Sequence, residues 1–124
     1  MLSVTREVDG DTGILNIDTG TIWYMEYDRH IDRIVVHTQR SMYYMTGTLK
    51  YWKIVLNNSG LNFALVDRNA LININNIIEI DTNYRDAYFD EVKSKVCTLA
   101  RHKFADNIKD LKSKNPYIQF TTPV

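Results

Sequence analysis

Phe63-Ala-Leu-Val-Asp-Arg-Asn-Ala-Leu-Ile-Asn73 sets two apolar runs on either side of Asp67-Arg68-Asn69, and Ile77-Ile-Glu-Ile80 follows a break at Asn75-Asn76. Short runs of this kind, rich in β-branched and other strand-forming residues and bounded by Asn and Asp, read as strands. Phe63–Val66, Ala70–Ile74 and Ile77–Ile80 are therefore expected to be extended, and the same reading spreads in both directions. Upstream, Leu2–Val8 alternates apolar and polar residues, Asp9–Gly13 supplies a turn, and Ile14–Ile17, Ile22–Glu26, Ile34–Thr38 and Met42–Met45 resume the extended pattern. Downstream, Ala87–Phe89 and Val96–Leu99 add two more strands.

Two segments change period. Leu49, Trp52, Val55 and Leu56 fall on one helical face that Thr48 is placed to cap and Asn57-Asn-Ser-Gly60 to end. Phe104, Ile108 and Leu111 give a second amphipathic helix over Lys103–Lys114, stopped by Asn115-Pro116. The segment from Tyr117 to Val124 suits either an edge strand or a mobile tail.

A chain of 124 residues with 44% hydrophobic side chains has the length and composition of one globular domain with a proper core. The expected division is a domain over residues 1–114 and a C-terminal tail over 115–124. Ala70–Ile78, the longest uncharged apolar stretch, is broken by Asn73, Asn75 and Asn76 and falls well short of the roughly 20 residues of a membrane helix. Cys97 has no partner for an internal disulfide, and nothing near Met1 has the layout of a secretory signal, so a cytoplasmic location is expected.

The formal charge is zero, which argues against a purely electrostatic nucleic-acid binder, but the charges are segregated. Residues 1–32 set two arginines against seven acids, whereas residues 33–56 hold Arg33, Arg40, Lys50 and Lys53 with no acid. Residues 57–91 are acidic again, and residues 92–124 set seven bases against Asp106 and Asp110. Such blocks are able to build a basic face on a neutral molecule, although four ordinary solvated surfaces are the plainer account.

Enzyme chemistry finds little support. Cys97 lies in a strand-like run where a buried structural cysteine is usual, and no nucleophile motif joins it to His30, His37 or His102. The histidines lack metal-ligand spacing, no phosphate-cradling glycine loop precedes a helix, and neither a metal nor another cofactor is expected. His37, inside a strand, is expected to be packed or to have its polar atoms satisfied.

The order of elements resembles a known family. Ile22-Trp-Tyr-Met-Glu26, a polar loop, Ile34–Thr38, an aromatic strand, the Thr48-Leu49 helix start, Phe63–Asn73 and then Asn76-Ile-Ile-Glu-Ile80 follow the pattern of the LytTR DNA-binding domain. Leu99-Ala-Arg-His102, leading into Phe104–Leu111, matches that family's final strand, turn and helix. The resemblance runs from about Leu2 to Lys114 and is most specific over Phe63–Ile80.

The resemblance implies a mainly β fold: an elongated stack of small antiparallel sheets with about two short helices, and loops along one edge that enter DNA grooves. It implies a bacterial transcription regulator, here without a receiver domain, that binds duplex DNA sequence-specifically at direct repeats, with two copies on one DNA face. Carried over by position, Arg68 and Asn69 fall in the central segment, and Arg101, His102 and Lys103 in the final turn before a helix whose positive end suits a phosphate. Arg29, His30 and Arg33 supply the first loop, beside Asp28 and Asp32. Asp67 and Asn69 replace the family's usual His and Ser around Arg68, and Ala100 replaces a Ser.

Three plainer readings stand beside these. Arg68 and Arg101 are able to form surface ion pairs with Asp67 and Asp106, Arg29 to Arg33 to be a solvated loop, and Lys93, Lys95 and Lys103 to be a soluble face. The rival function is a protein-interaction module of the same fold that modulates another regulator without touching DNA. Neither reading calls for a membrane or a small-molecule substrate.

Overall fold

The computed structural model describes residues 1–121. Its centre is a five-stranded antiparallel sheet in the order β5-β4-β3-β7-β6, built from β3 (Tyr24–Asp28), β4 (Arg33–His37), β5 (Met42–Met45), β6 (Phe63–Asp67) and β7 (Ala70–Asn73). A two-stranded sheet of β1 (Leu2–Val4) and β2 (Leu15–Ile17), together with helix α1 (Leu49–Asn58), covers one face. The other face carries a four-stranded sheet in the order β10-β9-β8-β11, formed by β8 (Glu79–Asp81), β9 (Asp86–Tyr88), β10 (Val96–Thr98) and β11 (Gln119–Thr121), and helix α2 (Phe104–Lys114). The fold is mainly β, with three small sheets and two helices, as the sequence leads one to expect.

The stretch Phe63–Asn73 governs this arrangement because β7 is buried at every position. Leu71 joins Met25, Ile34, Val36, Leu49, Leu56 and Phe63 in one core, while Ala70 and Ile72 join Ile80, Ala87, Cys97, Leu99 and Leu111 in the other. A strand covered on both faces has no place for polar alternation, which explains the continuous apolar run. Trp23, Tyr24 and Phe89 bind the second core together by stacking, with ring centroids 5.2 Å apart for Trp23 and Phe89 and 5.6 Å for Tyr24 and Phe89.

Side-chain amides join the pieces. Thr48 caps α1 by accepting from the Tyr51 amide at 3.1 Å. At the helix end the Asn57 side chain grips the Phe63 backbone, accepting from its N–H at 2.7 Å and donating to its carbonyl at 2.9 Å. Buried Asn115, just after α2, donates to the carbonyls of Ile74 and Ile77 and so ties the C-terminal segment to the loop before β8.

Several local expectations shift. The first strand stops at Val4, because Thr5 bonds the Glu7 carbonyl and the Glu7 carboxylate receives the backbone and hydroxyl of Thr12. Ile77–Ile80 is strand only from Glu79, after a short 3-10 turn over Ile74–Asn76. Helix α2 begins at Phe104 because Lys103 adopts left-handed backbone, φ 57°. The tail contributes β11, which pairs with β8 in parallel; residues 122–124 lie outside the described residues. His37 is half satisfied: its Nε2 is 2.7 Å from Glu26 Oε1 and its ring stacks on Tyr24, but its buried Nδ1 has no partner among the described residues.

Candidate nucleic-acid interface

The hairpin joining β6 to β7 is shaped by one extra residue. Asp67 pairs with Ala70 and Leu65 with Leu71, so Val66 is inserted as a β-bulge. The Val66 carbonyl accepts from the Ala100 amide at 2.7 Å, which docks the turn after β10 beside the hairpin. At the tip, the Asp67 carboxylate accepts from the Asn69 amide at 2.9 Å, and the Asn69 carbonyl accepts from Tyr27 N–H at 3.1 Å, binding the tip to the end of β3.

These bonds bring together residues from three separate stretches of chain. Arg29, Arg68, Asn69, His102 and Lys103 line one open cleft of about 800 Å³, with Asp67 and Asn107. Asn107 was not foreseen; it follows Lys103 by one helical turn and its amide donates to the Lys103 carbonyl at 2.9 Å, a relation hidden while only the apolar stripe of α2 was read. Among the described residues no side chain caps the α2 N-terminus, where the Phe104 amide is bonded to the Arg101 carbonyl and Asp106 lies in the first turn.

The remaining candidates lie apart from this cleft. Arg101 is exposed but does not line it; the Arg101 carbonyl accepts the Phe104 amide at 3.2 Å and so helps to start α2. His30 is exposed at the β3–β4 loop, its amide held by the Asp28 carboxylate at 3.0 Å. Arg33 is turned elsewhere and donates to the carbonyls of Val8 at 3.0 Å and Asp32 at 2.9 Å.

The neighbouring acids work on the loops. Asp28 and Asp67 accept from backbone amides two residues ahead, and Asp32 accepts the Tyr27 hydroxyl at 2.7 Å. That bond, more than any other influence, raises the Tyr27 pKa. Among the described residues, ion pairs within 4 Å join His37 to Glu26, Lys93 to Glu79 and Lys114 to Asp110, and none engages Arg68, Arg101 or Arg29.

A second, smaller cleft of about 350 Å³ adjoins the first across the hairpin tip, which gives Arg68 and Asn69 to both. Its far side is formed by Tyr27, Asp32, Gly47, Thr48 and Lys50. Cys97 is buried in the core, where desolvation and, to a lesser degree, the Glu26 charge push its thiol up to about 12. Among the described residues no group of His, Cys, Asp or Glu is placed to hold a metal ion, and no helix is long and apolar enough to cross a membrane.

Comparison with known proteins bears on this geometry. The LytTr DNA-binding domain family model matches residues 12–114. A solved LytTr DNA-binding domain from Bacillus cereus is similar in fold, with a TM-score of 0.65 and 15% identity over 90% of this chain and 97% of that one. A comparison with curated proteins finds no match. With the family pattern running through both helices and the central sheet, the chain belongs to the LytTR family of DNA-binding domains.

Proposed function

We propose that this chain is a transcription regulator that binds duplex DNA sequence-specifically, at direct repeats occupied by two copies, through side chains presented by the β6–β7 hairpin, the turn before α2 and the β3–β4 loop. LytTR domains are the DNA-binding domains of transcription regulators, and this reading assigns that activity to particular residues here. The observation that carries it is the gathering of Arg29, Arg68, Asn69, His102 and Lys103, distant in sequence, around one open cleft. The cations among them form no ion pair within the described residues, so none is engaged internally and all are free to meet an external anion.

Arg68 and Asn69, at the tip, are the base-reading candidates: guanidinium pairs bidentately with guanine O6 and N7, and the Asn amide with adenine N6 and N7. Arg29 and Lys103 are the phosphate candidates, and phosphate contacts fix register and supply most of the salt-dependent affinity. His102 lines the same wall, and Arg101 and His30, exposed outside the cleft, are further candidate contacts.

Selection from a random duplex library tests the reading, followed by titration of the winning duplex at several salt concentrations. Enrichment of spaced direct repeats, affinity that falls steeply with salt, and loss of sequence preference in Arg68→Ala are the expected results. Absence of enrichment over non-specific binding would overturn it in favour of a protein-interaction module.

A further inference from the structure

We propose that the smaller cleft is a second phosphate seat, with Lys50 as its cation, so that the Arg68-Asn69 tip enters a groove while the backbones on its two sides lie in the two clefts. This deepens the DNA-binding reading and rests on it.

Arg68 and Asn69 border both clefts, so an object entered by the tip has room for a wall on each side of it. Duplex DNA has that form: a groove is bounded by two phosphodiester strands, each carrying one negative charge about every 3.4 Å. The larger cleft meets one strand with Lys103, His102 and Arg29. On the other side the only Lys or Arg in the cleft wall besides Arg68 is Lys50, in the first turn of α1.

Lys50 is exposed and no carboxylate among the described residues lies within 4 Å of it. It belongs to the acid-free stretch from Arg33 to Leu56, so its own element brings no competing charge. The Thr48 hydroxyl accepts from the Tyr51 amide, and Lys50 carries the only positive charge that α1 brings to this cleft wall. Asp32 is the one acid in this wall, fixed by the Tyr27 hydroxyl, and its charge opposes a phosphate in the same cleft. The seat therefore has an attractive and a repulsive group whose removal has opposite signs.

Titration of wild-type protein, Lys50→Ala, Asp32→Asn and Arg68→Ala against the selected duplex and a scrambled one, across salt concentrations, decides the matter. Lys50→Ala is expected to weaken both duplexes alike, about fivefold, and to reduce the salt slope by about one. Asp32→Asn keeps an acceptor for Tyr27 and is expected to tighten both about threefold, in keeping with removal of one nearby like charge. Wild-type affinity and slope in Lys50→Ala, alongside lost sequence preference in Arg68→Ala, would overturn the second seat and leave the DNA reading standing. A change of preferred sequence in Lys50→Ala would overturn the phosphate assignment, and failure of the wild-type protein to bind either duplex would overturn both readings.

Discussion

Arg33 and Arg68 both sit at hairpin ends of the same sheet, each next to an aspartate, yet they have opposite fates. Arg33 is consumed by the fold: it donates to the carbonyls of Val8 and Asp32, holding the segment after β1 against the β3–β4 hairpin. The Arg68 side chain has no hydrogen bond or ion pair among the described residues, and the Asp67 carboxylate beside it accepts the Asn69 amide. The difference teaches that a neighbouring acid does not decide a cation's fate. Both aspartates bond elsewhere, Asp32 to the Tyr27 hydroxyl and Asp67 to the Asn69 amide, and what separates the two arginines is the carbonyl oxygens within reach of Arg33. Arg85 and Lys95 belong with Arg33, donating to the carbonyls of Leu99 at 3.2 Å and Ser41 at 2.8 Å, whereas Arg29 belongs with Arg68.

The sharpest test of that division is Arg68→Ala, which should cost about 1–3 kcal/mol of specific DNA affinity, up to a hundredfold. Its thermal midpoint should be unchanged, and a joint fall in melting temperature and binding would place Arg68 with the structural cations. Arg33→Ala should do the reverse, losing about 1 kcal/mol of stability with its hydrogen bonds to the Val8 and Asp32 carbonyls, with DNA affinity preserved below the melting transition. Calorimetry of the two variants side by side checks the contrast.

Arg29→Ala should have a smaller effect, roughly a twofold loss of affinity for any duplex and a salt slope lower by about one. A loss confined to one sequence would move Arg29 from phosphate to base. A last test concerns a group wholly consumed by the fold. The Cys97 thiol is raised from its ordinary 9.0 to about 12, so the native state holds its proton while the unfolded chain releases it. That contribution to stability is complete below pH 9 and is lost progressively as pH rises from there toward 12. Denaturant titrations should show a decline above pH 9 that is shallower in Cys97→Ala, and native protein should resist thiol reagents.

Much of the fold was legible because its signals are local. Thr48 with the Leu49 to Leu56 period marks α1, and Phe63–Asn73 marks a strand pair from its breaks alone. What escaped depends on partners far along the chain. β11 pairs with β8 across some forty residues, at Gln119 and Glu79, and nothing in Gln-Phe-Thr specifies a parallel neighbour. Val66 reads as one more strand residue, since a bulge is a mismatch between two strands rather than a property of one. Lys103 carries no mark of its left-handed backbone. At the candidate site, Arg29 and Arg33 are alike in sequence, and only the position of the Val8 carbonyl separates them. Lys50 was hidden for a different reason: its relevance comes from a wall shared with Arg68, eighteen residues later in the chain.

The inserted Val66 has a consequence for how such a surface changes over generations. β6 is the edge of its sheet, and the carbonyl of its inserted residue accepts from Ala100, a bond that places the turn before α2 beside the hairpin tip. Removing that residue is expected to bring β6 and β7 into regular register and to shift the hairpin tip relative to the Ala100 turn. The offset between the hairpin tip and the turn before α2 is thus written as a residue count in β6, where a one-residue insertion or deletion alters it.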